Sequence, residues 1–221
     1  MMGHSHAISG AMAASVAAAF QPALIAPNPQ TYTMSCLLAA GAAVMADADH
    51  PNARAAKTFG PAVNIIGAVS GGHRHGTHTV WAAGLVAAAC WGASLWALQV
   101  AGVTIYPVGF LAVFIAMGLG LAALTGLNRW IVLAISAVVA AGAAILVPDP
   151  LWLTVVVGGG YLVHLMGDIL TTKGVKVFRP LPPTIRIPLL GDAGSMRETV
   201  LVVFMVAVWV ALTFTVIVPG M

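Results

Sequence analysis

Long apolar stretches alternate with short polar islands along the whole chain. The first stretch runs from about Ile8 to Ile25 and closes on the turn Pro27-Asn28-Pro29. A second, about Thr31 to Ala46, ends in Asp47-Ala48-Asp49-His50-Pro51, where the proline stops a helix. The piece from Phe59 to Val69 is too short to cross a bilayer and reads as re-entrant or interfacial, within a loop region spanning 51–72. Five further segments follow, at about Thr79–Val100, Val108–Leu124, Trp130–Val147, Leu151–Leu170 and Thr199–Val218. Between the last two lies one substantial polar loop, 171–197. The pattern predicts an all-α polytopic membrane protein of about seven transmembrane helices, organised as a single domain over residues 1–221.

Alternating crossings place the islands. If the chain starts on a face X, the second stretch returns to X at Asp47, Asp49 and His50. The third leaves X just after His73–His78, the sixth arrives with His164 and Asp168 in its last turns, and the seventh leaves from Glu198. Every polar island therefore falls on one side, although far apart in sequence. All nine Lys and Arg residues fall there too, and such a bias in short loops marks the cytoplasmic side. The expected topology is inner-membrane, with the N-terminus in the cytoplasm and the C-terminus outside.

Composition sharpens this picture. The chain is 60% hydrophobic and only 7% charged, against about 25% charged in soluble domains. A net charge of +3 spread over nine separate cations makes no nucleic-acid stripe. Cys36 and Cys90 both lie inside apolar helices, so no disulfide framework is expected. The absence of a Lys/Arg n-region predicts no cleaved signal peptide. Gly158, Gly159 and Gly160 offer a neighbouring helix a close approach.

The islands carry metal-ligand chemistry. His164 and Asp168 are four apart on a helix and share a face. Ionisable groups at membrane depth face a bundle interior or wet cavity and are functional candidates. Two carboxylates at the end of a helix, Asp47 and Asp49, oppose its dipole, a conflict that a bound cation relieves. His73-Arg74-His75-Gly76-Thr77-His78 adds imidazoles and a bidentate anion donor where a Gly-rich turn enters a helix. His4, Asp47, Asp49, His50, His73, His78, His164 and Asp168 are therefore expected to converge on one or two divalent ions. Mixed His and carboxylate ligation suits Zn first, with Mn or Fe as alternatives.

Taken in order, these motifs resemble those of the YdjM-like family of inner-membrane proteins regarded as metal-dependent hydrolases. The matching pieces are Gly3-His4, Asp47-Ala48-Asp49-His50-Pro51 and His73-Arg74 with Gly76-Thr77-His78-Thr79. They continue with His164-Leu165-Met166-Gly167-Asp168, then Gly174, Pro180, Arg186-Ile187-Pro188, Gly194 and Glu198. The resemblance implies a multi-helix membrane protein with hydrolase chemistry. It leaves His6 and His75 outside the ligand set, since His75 stands near a position where the family has glycine and His6 has no counterpart.

The expected function is hydrolysis of an amphiphilic, phosphoester-containing lipid by a metal-activated water at the cytoplasmic face. Glu198 and Asp49 are the candidate catalytic carboxylates, and Arg74, Thr77, Lys173, Lys176 and Arg186 are the candidates to hold an anionic head group. An ion or metal transporter is the first rival, but a conducting path calls for polar residues in both membrane halves, and the outer halves here carry almost none. A metal-stabilised scaffold without turnover is the second, because structural and catalytic sites differ chiefly in an open coordination position.

Overall fold

A computed structural model describes residues 1–50, 53–60, 65, 68–72, 74–146 and 150–217. The chain is mostly helical. Helix α1 (Gly3–Phe20) breaks at Gln21, and Pro22 opens the short α2 (Pro22–Ile25). Proline is favoured there because the first turn of a helix needs no N–H from it. Helix α3 (Pro29–Met45) starts the same way, with the Asn28 side chain accepting from the Thr31 N–H at 2.8 Å. It ends in a 3₁₀ turn, Ala46–Asp49.

Helix α4 (Arg54–Phe59) opens the region expected to be re-entrant; residues 61–64 and 66–67 of the piece from Phe59 to Val69 lie outside the described residues, as does His73. A second 3₁₀ turn, Gly76–His78, leads into α5 (Val80–Leu95), whose first turn is capped by the Thr79 hydroxyl. Helices α6 (Pro107–Leu124), α7 (Arg129–Leu146), α8 (Pro150–Ile169) and α9 (Met196–Ile217) complete the bundle.

The third apolar segment departs from expectation. Its helix stops at Leu95, and β1 (Leu98–Val100) pairs antiparallel with β2 (Val103–Ile105) in the register Leu98 to Ile105. Ala101 and Gly102 both have positive φ, 52° and 80°, which a two-residue hairpin turn requires. The β-branched residues Val100, Val103, Thr104 and Ile105 flank that turn, so local chemistry favours strand over helix here.

Among the described residues, three helices are long and apolar enough to cross a membrane: Pro107–Leu124, Leu151–Ile169 and Met196–Thr215. Val80–Leu95 and Arg129–Ala144 are shorter apolar helices. Helix α3 sits at the centre, packed on α1, α6 and α8. These contacts are backbone-close. A Cβ on Gly41 would collide with the Ala116 carbonyl, and one on Gly160 would lie 2.6 Å from the Ala39 oxygen. Small residues at helix crossings let backbones approach, which is how apolar helices gain packing where lipid offers no hydrophobic drive. Both cysteines are free and buried.

The polar loop after α8 is folded over the bundle end. Ile187 and Leu190 donate backbone N–H groups to the Ile169 and Leu170 carbonyls, and Val80 donates to Val177 at 2.9 Å. Beneath it Val175 and Val177 pack with Ala46, Ala83, Tyr161 and Leu165. The loop thus closes over the ends of α3, α5 and α8 where the polar islands meet.

Candidate metal centre

Helix α8 presents His164 and Asp168 one turn apart, both buried. The Ala43 carbonyl, 2.8 Å from His164 Nδ1, accepts its proton and so assigns the tautomer, leaving a lone pair on Nε2. His78 reaches the same point from the end of its 3₁₀ turn. The Thr77 hydroxyl donates to Asp49 Oδ2 at 2.5 Å and lies 3.0 Å from His78 Nδ1, from which it then accepts. That chain puts the His78 proton on Nδ1 and its lone pair on Nε2. Tyr161, one turn before His164, holds the Thr77 carbonyl through its hydroxyl at 2.5 Å.

The two Nε2 atoms face each other at 3.2 Å. Asp47 Oδ1 lies 3.5 Å from His78 Nε2 and 3.9 Å from His164 Nε2. Asp168 Oδ2 lies 3.7 Å from each imidazole and has no hydrogen-bond partner. Four donors with metal bonds of about 2.0–2.1 Å in a tetrahedron stand about 3.3 Å apart. The five separations here, 3.2 to 3.9 Å, come close to that spacing. The residues fit a divalent ion. Nε2 lone pairs turned toward one another, with carboxylate oxygens of Asp47 and Asp168 each within 3.9 Å of them, repel unless a proton or a metal cation lies between them.

The other Asp168 oxygen is held from outside. Oδ1 accepts from the Met1 nitrogen at 2.9 Å and from Arg74 Nη2 at 3.3 Å, while Arg74 Nη1 donates to the Gly174 carbonyl. Thus Asp168 is oriented as metal-binding carboxylates are, by partners behind it.

His6 also enters the cluster. Its ring stacks on His164 with centroids 3.8 Å apart, Nε2 lies 3.4 Å from Asp168 Oδ1, and neither ring nitrogen has a hydrogen-bond partner. His6, Asp47 and His164 form a second group whose donor atoms lie within 4.8 Å of one another, beside that of His78, His164 and Asp168. Gly167 makes room for this: a Cβ there would lie 3.0 Å from His6 Cε1.

The expected ligands divide accordingly. Asp47, His78, His164 and Asp168 converge, and His4 does not. His4 is exposed while His6 is fully buried, because residues two apart on α1 point about 200° apart and only one can face inward. That phase turns His6, rather than the expected His4, toward the cluster. Asp49 sits behind His78 and orients it through Thr77. His50, half-buried, donates its backbone N–H to Asp47 and belongs to neither donor group among the described residues.

The candidate catalytic and substrate residues divide too. Glu198 is buried and accepts from the Met2 N–H at 2.7 Å and the Gly194 N–H at 2.8 Å, so it ties the loop to the start of α1. Arg74 is bonded to Asp168 and Gly174. Lys173, Lys176 and Arg186 are exposed on the loop. Tyr161 carries no motif signal although it lies within one turn of His164, Gly167 stands in the matching motif without a role of its own, and the Ala43 carbonyl has no sequence signal at all.

A helical membrane protein built around a buried His/Asp donor cluster is the class that this fold and site define. The chain belongs to the YdjM inner membrane protein family, whose sequence model matches residues 1–219. Neither the curated proteins nor the solved structures contain a match to it.

Proposed function

We propose that this protein is a membrane-embedded, metal-dependent hydrolase that cleaves an amphiphilic phosphoester at the cytoplasmic face of the inner membrane. One observation carries the reading: the His78 and His164 Nε2 lone pairs meet at 3.2 Å with both Nδ1 positions committed elsewhere, and two carboxylates close the same space. Zn suits the donor set first, and such an ion supplies a Lewis acid and an activated water. The protein's own groups do the rest. Asp47 is 20% exposed, whereas His78, His164 and Asp168 are at most 1% exposed, so approach is from the Asp47 side. Lys173, Lys176 and Arg186 line the exposed loop with positive charge that suits an anionic head group. The nine-to-none bias of Lys and Arg supports seven crossings with the N-terminus inside.

The test is elemental analysis of purified protein, coupled to head-group release from a panel of membrane phosphoesters. About one bound ion per chain, with turnover that chelation abolishes, is the expected result. Stoichiometric metal without turnover on any substrate would favour a metal-stabilised scaffold instead.

A further inference from the structure

A cavity of about 360 Å³ lies between α5 and α6, with Val157 of α8 also in its wall. On α5 it is lined by Val86, Ala89, Cys90 and Ala93, a spacing of i, i+3, i+4, i+7 that defines one helix face. On α6 the lining residues are Val108, Leu111, Ala112, Ile115 and Leu119, again one stripe. Apart from the Cys90 thiol, no lining side chain can hydrogen-bond. The volume lies within the usual range for small-molecule sites, roughly 300–1,000 Å³.

Its position and length give it an occupant. The end nearest the donor cluster is walled by Met45 and Ala48, which bracket Asp47, and by Phe59. Asp47 is also the most accessible member of the cluster. From Val108 to Leu119 the α6 stripe rises about 16 Å at roughly 1.5 Å per residue, which matches half of a hydrocarbon core about 30 Å thick. Ala89 and Leu111 are exposed at the rim, so the groove opens sideways. An amphiphile can then enter laterally without its chain passing through water.

We propose that this groove seats one linear hydrocarbon chain of the substrate, which is an anionic single-leaflet lipid cleaved at its head-group phosphoester beside Asp47. The proposal rests on the hydrolase reading for its chemistry but not for its binding test. Alanines at positions 89, 93 and 112 keep the groove open. A bulky side chain at Ala112 fills it without touching the donor cluster.

The probe is a linear alkyl phosphate carrying a diazirine at the chain end, photolysed with the full-length protein in nanodiscs and mapped by mass spectrometry. Labelling should concentrate on α5 and α6, and Ala112→Trp should reduce it about tenfold, the effect of excluding about two methylenes, with metal content unchanged. Val203→Trp, on an exposed face of α9, should leave it intact. On wild-type protein alone, unlabelled alkyl phosphates should compete better as the chain lengthens, until the groove is full. Labelling spread equally over α9, or competition independent of chain length, overturns the proposal. Localised, chain-length-dependent labelling without turnover supports the groove and sinks the hydrolase reading; turnover with scattered labelling does the reverse.

Discussion

Arg74 Nη2 stands 3.3 Å from Asp168 Oδ1, on the far side of the carboxylate from His78 and His164. The guanidinium therefore supports Asp168 from behind rather than joining the donor cluster. Arg74→Gln should weaken metal affinity by about 10–100-fold, the usual effect of losing such a partner, and Asp168→Ala should abolish binding. Titration of the apo-protein with Zn against a competing chelator measures both. Equal loss in the two variants would contradict this division of labour.

His6 and His4 make a controlled pair. His6→Ala removes a ring stacked on His164, whereas His4→Ala trims an exposed side chain two residues away. Metal occupancy and Tm should fall in the first variant and stay at wild-type values in the second. A matching loss for His4→Ala would mean that α1 enters the bundle in another phase.

Gly167→Ala tests the tightness of the same contact. In an open helix position this change stabilises by up to about 1 kcal/mol. Here the new Cβ would lie 2.6 Å from Met1 Sδ and 3.0 Å from the His6 ring. Overpacking of this kind costs about 1–3 kcal/mol, so the net sign should reverse. Thermal or denaturant unfolding in detergent decides it, and a higher Tm for Gly167→Ala would refute the packing.

Thr77→Val removes the hydroxyl that links Asp49 to His78 while keeping the side-chain volume. His78 then loses the group that fixes its tautomer, and Asp49 is left buried beside an apolar side chain. A drop of about tenfold or more in Zn affinity is expected. Thr77→Ser should restore most of it, a recovery that a purely steric role would not predict.

Reporter fusions check the orientation. A C-terminal alkaline phosphatase should be active and a fluorescent protein at the same end dark, as the Lys/Arg distribution requires. The reverse pattern would move the Asp47 opening to the outer face.

Sequence periodicity made some of this legible and hid the rest. His164 and Asp168 were readable as a pair because helical spacing alone puts i and i+4 on one face. Asp47 and Asp49 could not be ranked, since a 3₁₀ turn rotates them differently from the α-helix before it. His4 and His6 depended on the phase of α1, which packing of its small residues against α3 decides. The hairpin at Ala101-Gly102 was overlooked inside an apolar run, where hydrophobicity masks turn chemistry. The proton assignment at His164 depends on a backbone oxygen, and any residue at position 43 would have one.

The donors come from stretches of chain that emerge from the ribosome at very different times. Asp47 and His78 leave it long before His164 and Asp168, the last donors on the chain. Until α8 arrives, Asp47 waits in a half-built membrane protein without the imidazole that later faces it. An ion held by this cluster would therefore find its full donor set only once α8 has been made, after most of the helices. Binding energy released by such an ion would be folding energy, delivered as a latch on an assembly already in place.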